Sequence, residues 1–289
     1  MTDAARRTHA TLGDGCRLAY RLDGPEGAPV LLLVNSLGTA LEMWTPQMAA
    51  FTAHVRVLRY DARGHGASDA PPGAYSLDRL GRDAVELLDA VGVERVHVCG
   101  LSLGGMVAQW LGVRAPERVD RLVLACTAAY LGPPAGWEQR IAMVRQEGME
   151  ALVAPVLGRW FTPAFRARAP EAVAPVHDML LATPPDGYAG CCAALRDADL
   201  RPTTSLIACP VRLIAGVHDP VTPPERSDEI ASALHGRAAG AEVVRLDAAH
   251  LANVEQPDAF ARAVVAFLVP PDHRPTGIAS PRSPSLTRA

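Results

Sequence analysis

A serine stands between two glycines in the segment GLSLG, residues 100–104, which directly follows the apolar run RVHVC. A helical apolar pattern begins at once, with Met106 and Trp110 one turn apart. The motif G-x-S-x-G between a strand and a helix is typical of a nucleophile held on a sharp turn. Ser102 is therefore the predicted nucleophile, and the glycines are predicted to avoid clashes around that turn.

A serine hydroxyl reacts at neutral pH when a general base takes its proton and a carboxylate orients that base. Two late apolar runs each precede a suitable residue: Asp219 follows VRLIAG, and His250 follows EVVRL. Loops at the carboxyl ends of parallel strands meet at one edge of a sheet. The predicted triad is thus Ser102, Asp219 and His250. The residues that fit these roles less well are Asp228, Asp247, His65, His97 and His218.

An acyl-transfer site also needs two backbone N–H groups aimed at the developing oxyanion. One is expected from the residue after the nucleophile, Leu103, where the N-terminal end of a helix adds its positive dipole. The other is expected from the loop NSLGT that follows the early run VLLLV, and Leu37 is the predicted donor. In both cases the backbone, not the side chain, would act.

The residues of the predicted site must be positioned by strands and helices, and the patterns for these two kinds of element alternate along the chain. Near-continuous apolar runs predict parallel strands buried on both faces, and a helical pattern over 77–92 separates two of them. This order predicts the α/β class, a doubly wound and mostly parallel sheet. The predicted strands are 30–35, 55–61, 95–100, 121–126, 211–216 and 242–247.

One interval of about eighty residues has no convincing strand. Its apolar helical segments predict a helical cap over residues 128–208, inserted between two parts of the core, 1–127 and 209–270. The last stretch, 271–289, is rich in Pro, Ser and Arg and is expected to be disordered.

The composition excludes several classes of protein. The 289 residues are 49% hydrophobic with a formal charge of −3, which favours neither a nucleic-acid partner nor a membrane surface. No apolar run could span a bilayer, and the N-terminal segment lacks the apolar core of a signal peptide, so a cytoplasmic protein is expected. All 28 basic residues are arginine, and a chain without lysine cannot form a Schiff base.

The six cysteines form no CxxC pair, and neither a disulfide framework nor a metal-ligand cluster is indicated. The segment DARGHGASD, residues 61–69, carries charges and a histidine. We interpret it as a structural turn in which Asp61, Arg63 and Ser68 satisfy one another and nearby backbone groups.

Three segments carry a resemblance to a known family: VNSLGTALEMWTPQM, GLSLGGMVAQWLGVRAPERVDRLVL and AAHLANVEQPDAF. The chain resembles the α/β-hydrolases over residues 12–270 and, among them, the 3-oxoadipate enol-lactonases. Most members of the superfamily have His-Gly where this chain has Asn35 and Ser36, and Gly is common where it has Ala249. At both places the residues of this chain resemble those of the enol-lactonase subgroup.

The resemblance implies hydrolysis of 3-oxoadipate enol-lactone to 3-oxoadipate in aromatic catabolism, without a metal or organic cofactor. Because that substrate carries a carboxylate, a cationic or N–H-rich pocket is expected, and Trp137 and Arg140 are its candidate residues. A tryptophan in a cap is often core, and an arginine is often solvated.

Two alternatives remain at this point. Another cofactor-free serine hydrolase, a carboxylesterase or a perhydrolase, would share the same triad, because only pocket shape separates such enzymes. A ligand-binding protein on the same fold, with vestigial catalysis, is the second alternative. The oligomeric state is left open.

Overall fold

The structure is a computed structural model that describes residues 7–236 and 241–269. Its centre is one eight-stranded sheet in the order β1-β2-β4-β3-β5-β6-β7-β8. The strands are β1 (Thr8–Thr11), β2 (Arg17–Asp23), β3 (Val30–Val34), β4 (Arg56–Tyr60), β5 (Val96–Leu101), β6 (Val119–Ala125), β7 (Val211–Gly216) and β8 (Ala241–Leu246).

The six strands from β3 to β8 pair in parallel, and they are the six apolar runs predicted from the sequence. In the central strand β5 every residue is buried, as expected for a strand covered on both faces. The two strands at the start, β1 and β2, pair antiparallel and were not predicted. The predicted class, a doubly wound and mostly parallel α/β sheet, is confirmed.

Helices cover both faces of the sheet. The α-helices are α1 (Met48–Thr52), α2 (Leu77–Ala90), α3 (Leu103–Arg114), α4 (Pro134–Glu147), α5 (Glu150–Trp160), α6 (Pro163–Arg168), α7 (Pro170–Ala182), α8 (Pro185–Asp197), α9 (Pro224–Ala233), α10 (Ala252–Glu255) and α11 (Pro257–Leu268). The sequence places α3 directly after the central strand, and its first ten residues are buried, which explains why its apolar residues surround the whole helix.

Five helices, α4 to α8, lie between β6 and β7 in the chain, and we call them the cap helices. Proline stands at the first turn of four of them, where its missing N–H costs no intrahelical bond. None of the helices in the described residues is long and apolar enough to cross a membrane. The tail expected to be disordered, 271–289, lies outside the described residues.

Candidate active site

Ser102 joins the end of β5 to the start of α3 in a backbone conformation rare for a residue with a side chain, φ 59° and ψ −116°. The flanking glycines make this turn possible. A Cβ at Gly100 would lie 2.1 Å from the carbonyl oxygen of Gly104, and a Cβ at Gly104 would lie 2.1 Å from that of Val34. The clashes expected from the sequence motif are thus real contacts in the fold.

The turn is also fixed from the neighbouring strand. The Ser102 N–H donates to the carbonyl of Ala125, 3.0 Å away at the end of β6. The Thr127 hydroxyl donates to the Ser102 carbonyl at 2.7 Å, and a Cβ on Gly105 would lie 2.5 Å from the Thr127 Cβ. Ser102 is therefore held by backbone contacts on both sides, and its side chain takes no part in them.

Asp219 and His250 form a buried pair at the ends of β7 and β8. Asp219 Oδ2 lies 2.8 Å from His250 Nδ1, and both side chains are at most 1% exposed. Thr222 donates to the carboxylate through its hydroxyl at 2.6 Å and its N–H at 3.0 Å. Within the described residues, the His250 side chain bonds to Asp219 and Thr222 and makes no hydrogen bond to Ser102.

The charge state of Asp219 follows from these contacts. Burial alone would raise its pKa, but the neighbouring His250 and the hydrogen bonds from Thr222 more than compensate and hold the pKa below its ordinary value. Asp219 is therefore an ionised carboxylate at neutral pH. It can orient the imidazole and stabilise an imidazolium. Thr222 was not identified from the sequence, although a threonine three residues after an acid is typical of a local turn.

The rival residues lie elsewhere. His218 Nε2 and Asp247 Oδ1 are 2.8 Å apart, but their side chains are 55% and 83% exposed. Asp228 pairs with Arg245 on the surface. His97 lies inside the central strand, where burial lowers its pKa. None of these residues contacts Ser102 or His250 through a hydrogen bond in the part of the chain that the structure describes.

The loop that contains Leu37 packs against the nucleophile turn. A Cβ at Gly104 would lie 2.8 Å from the Asn35 carbonyl oxygen, so this loop and the start of α3 are adjacent. Leu103 is the first residue of α3, and its N–H therefore has no acceptor within the helix. The Leu37 N–H makes no hydrogen bond within the described residues. The structure thus brings the two predicted donors to neighbouring segments.

A second loop holds the first one in place. The Gly38 N–H donates to His65 Nε2 at 2.8 Å, and His65 Nδ1 lies 3.2 Å from the Arg63 carbonyl. His65 is fully buried, which lowers its pKa to about 4 and keeps the ring neutral. Only a neutral ring can accept the Gly38 N–H, and Nδ1 then carries the proton. This supporting role has no local signal in the sequence, because the two residues are 27 positions apart.

The segment 61–69 is structural, with one correction. Asp61 accepts the N–H groups of Leu41 and Ala67, and Ser68 donates to the Asp61 carbonyl. Arg63, however, does not pair inside its own loop. It makes two bonds to the buried carboxylate of Asp83 on α2 and one to Asp14. A planar guanidinium is better satisfied by a bidentate carboxylate than by loop carbonyl groups.

The cap residues singled out from the sequence lie on one face of α4. Trp137 Nε1 donates to the Leu131 carbonyl at 2.8 Å, and the Arg140 guanidinium lies 5.0 Å from the centre of the Trp137 ring. Both line a cavity of about 440 Å³ together with Arg159. No ion pair within 7–236 and 241–269 involves either arginine. Burial and the nearby Arg140 lower the pKa of Arg159.

Tyr188 of α8 lies between these two arginines and the loop that holds Leu37. A Cβ at Gly38 would lie 3.1 Å from the Tyr188 ring. Burial raises the pKa of the Tyr188 hydroxyl, and the nearby guanidinium groups of Arg140 and Arg159 oppose this rise. One tyrosine side chain therefore spans the gap between the arginines and the predicted oxyanion loop. Among the described residues, no group of three or more His, Cys, Asp or Glu side chains could hold a metal ion.

Comparison with known proteins agrees with this geometry. A family model described as the alpha/beta hydrolase fold matches residues 29–257. The 3-oxoadipate enol-lactonase 2 of Acinetobacter baylyi is 41% identical over 251 residues, which cover 87% of this chain and 92% of that enzyme.

Two solved structures are similar over nearly their whole length. The enol-lactonase from Burkholderia xenovorans LB400 has a TM-score of 0.87 and 44% identity, and the match covers 90% of this chain and 99% of that one. A hydrolase from Pseudomonas aeruginosa PA01 has a TM-score of 0.88 and 52% identity, with 92% and 99% covered. The chain therefore belongs to the alpha/beta-hydrolase family and, within it, resembles the 3-oxoadipate enol-lactonases.

Proposed function

We propose that this protein hydrolyses 3-oxoadipate enol-lactone to 3-oxoadipate, late in aromatic catabolism through protocatechuate or catechol. The observation that carries the proposal is the 41% identity to an enol-lactonase over almost the whole of both chains. The nucleophile turn and the buried acid–histidine pair supply the chemistry that opening a lactone requires.

The first half of the reaction acylates Ser102. Asp219 accepts a hydrogen bond from His250 Nδ1–H, which leaves Nε2 as the base that takes the Ser102 proton. The hydroxyl oxygen attacks the lactone carbonyl, and the N–H groups of Leu37 and Leu103 stabilise the oxyanion. The absence of a Ser102–His250 hydrogen bond is consistent with a contact that closes once substrate is bound.

Ring opening completes the acylation, and hydrolysis of the acyl-enzyme then releases the product. When the tetrahedral intermediate collapses, the ring C–O bond breaks and the His250 imidazolium protonates the departing enol oxygen. Because the leaving group belongs to the same ring, it remains attached to the acyl chain and tautomerises to the ketone. His250 then takes a proton from water, the resulting hydroxide attacks the ester, and Ser102 is restored with a free carboxylic acid.

The substrate is a small lactone with a free carboxylate, and Arg140 is its proposed partner. Arg140 has no acidic side chain to neutralise it among the described residues, and it lies beside Trp137 on the cavity wall. A guanidinium beside a ring can bind a carboxylate while the ring covers the apolar lactone face. Tyr188 lies near Arg140 and packs against Gly38 of the predicted oxyanion loop.

The proposal is tested by the mass of the covalent intermediate. A rapid-quench reaction with the enol-lactone should add the mass of the complete lactone to the peptide containing Ser102, because nothing leaves when a ring opens. A p-nitrophenyl ester should add only its acyl group. A fluorophosphonate should label the same serine and block both adducts. Labelling at another residue, or turnover of the lactone that persists after the fluorophosphonate has blocked Ser102, would contradict the mechanism.

A further inference from the structure

Glu255 is a buried carboxylate close to His250 with no role in the steps described above. It ends the short helix α10, five residues after His250, and is 4% exposed. Its Oε2 accepts the Ala249 N–H at 3.0 Å and the Thr162 N–H at 3.2 Å, and its Oε1 accepts the Thr162 hydroxyl. One carboxylate thus joins the loop before His250 to the junction between cap helices α5 and α6.

The loop is joined to the cap on its other side as well. The Leu251 N–H donates to the carbonyl of Trp160, the last residue of α5, at 3.0 Å. The Trp160 ring lies over the imidazole of His250, with 6.4 Å between the ring centres and 33° between their planes. Both sequence neighbours of His250 are therefore held, directly or through Glu255, by the cap residues 160–162.

These bonds leave the His250 loop little freedom. The loop that contains Ala249 and Leu251 belongs to no strand, and its only hydrogen bonds to the cap in the described residues are those just given. Removing the Glu255 carboxylate would leave the buried Ala249 N–H and the partly buried N–H and hydroxyl of Thr162 without this acceptor. Because unsatisfied buried groups are costly, the loop and the cap junction would move to find water or new partners.

We propose that Glu255 is a positioning residue that fixes His250 by tying its loop to the cap. The inference rests on the proposed role of His250 as general base. A misplacement of a catalytic group by about 1 Å can lower a rate by about 100-fold, and a fixed loop prevents such a shift. The cap then has two functions: it lines the cavity that contains Arg140, the proposed partner of the substrate carboxylate, and it fixes the position of His250 relative to Ser102.

The test measures hydrolysis of p-nitrophenyl acetate, a neutral ester that needs the triad but not the lactone pocket. Glu255→Ala should lower kcat about 10- to 100-fold and change KM by less than about threefold. Glu255→Gln keeps an acceptor for both N–H groups and can donate to the Thr162 hydroxyl, so it should restore kcat to within about threefold of the wild type. The rate constant for fluorophosphonate labelling of Ser102 should follow kcat.

Glu86→Ala is the matched control. Glu86 also accepts a loop N–H, that of Gly13 at 2.7 Å, and pairs with Arg79, but it lies on α2. Its loss should lower the melting temperature without changing either rate constant. Should Glu255→Ala fail to fold, Thr162→Val and Thr162→Ser replace it, with a lower kcat expected only for valine.

Several results would overturn the inference. Glu255→Ala with wild-type kcat and lower stability would make Glu255 a purely structural residue. Glu255→Gln as slow as Glu255→Ala, or equal rates for the two Thr162 variants, would exclude the hydrogen bonds as the cause. The proposed function has a separate control: if Ser102→Ala still cleaves the ester, the nucleophile assignment is wrong. If only the lactone is not cleaved, the substrate assignment is wrong and the Glu255 comparison is still valid.

Discussion

At the residue scale, Asp219 is held by more bonds than a pairing with His250 requires. Its Oδ1 accepts the N–H groups of Val221 and Thr222, while its Oδ2 accepts the Thr222 hydroxyl and faces His250. These donors fix the carboxylate before any substrate arrives. They also stabilise the ionised form, which is the form that selects the Nδ1–H tautomer of His250.

Replacing the charge while preserving the shape separates these two effects. Asp219→Asn can place its amide oxygen towards Val221 and Thr222, which leaves an NH₂ group facing His250 and stabilises the opposite tautomer. We expect kcat to fall by about 10⁴-fold with little change in KM, measured on the lactone and on p-nitrophenyl acetate. Thr222→Val, which removes one hydroxyl bond and no charge, should cost far less. Equal losses in the two variants would contradict this assignment.

At the scale of elements, two loops and one turn meet at the end of the sheet. The loop 61–69 holds the Leu37 loop through His65 and Gly38, and the start of α3 packs against Asn35. Each contact is made by backbone or by a buried neutral ring. The distances between these two loops and the start of α3 therefore depend on small residues and on one uncharged histidine.

The neutral state of His65 makes stability depend on pH. Its folded pKa, about 4, lies below the ordinary value of 6.5, so between these values the unfolded chain binds a proton that the folded protein does not. Stability therefore falls as pH decreases through this window. Relative to His65→Gln, which cannot titrate, the wild type should lose about 2 kcal/mol more unfolding free energy between pH 7 and pH 5. Urea unfolding of both proteins at the two pH values measures this difference. Equal losses of unfolding free energy in the wild type and in His65→Gln would contradict the prediction.

The glycine at the start of α3 provides a steric test. Gly104→Ala places a methyl group where the Val34 carbonyl oxygen would be 2.1 Å away, so the helix or the strand must shift. We expect a loss of about 2 kcal/mol or more in unfolding free energy, with reduced fluorophosphonate labelling of Ser102. Gly158→Ala is the control, because a Cβ added at this position of α5 would have no neighbouring atom within 4 Å. This substitution should raise the unfolding free energy by about 0.5–1 kcal/mol. Equal effects at the two sites would contradict the packing described here.

At the scale of the whole molecule, the cap helices reach the core at three places around the site. Gly187 of α8 approaches Gly64 so closely that a Cβ at Gly64 would lie 2.5 Å from the Gly187 Cα. Tyr188 packs against Gly38, and Trp160 lies over His250. The cap helices therefore contact the predicted oxyanion loop and the loop that contains His250. We expect both substrate binding and catalysis to depend on how these helices are placed.

The charge on the cap should determine which substrates bind. Arg140→Gln removes the charge-assisted bond that we propose for the substrate carboxylate, so KM for the enol-lactone should rise about 10- to 100-fold. KM for p-nitrophenyl acetate, which has no carboxylate, should stay the same. Arg145→Gln, an exposed arginine on the same helix, is the control and should change neither value. An equal rise in KM for both substrates would mean that Arg140 supports the cap without contacting the carboxylate.

The sequence predicts an element of the fold when the pattern that identifies it lies within that element's own residues. Five of the six parallel strands, β3 to β7, are near-continuous apolar runs because most of their residues are buried. The edge strand β8 was also predicted, from its apolar residues Val243, Val244 and Leu246, although only the last of these is buried. The short strands β1 and β2 contain THAT and RLAYRLD, with polar residues on the exposed face, and their strand character comes from antiparallel pairing at the sheet edge.

The candidate site shows the same division. Ser102, Asp219 and His250 are recognisable because each follows a strand within a short motif. Thr222 is near Asp219 in sequence and could have been found from its turn. His65 and Glu255 could not, because their contacts to Gly38 and Thr162 span 27 and 93 positions, and no local pattern encodes a bond formed by folding.

The central claim, that Ser102 opens this particular lactone, is tested most directly by the ultraviolet loss of 3-oxoadipate enol-lactone generated in situ. The wild type is predicted to turn it over with kcat/KM at or above about 10⁴ M⁻¹s⁻¹, and Ser102→Ala is predicted to lose this activity. A protein that leaves the enol-lactone intact but cleaves p-nitrophenyl esters would retain the triad and contradict the lactonase assignment.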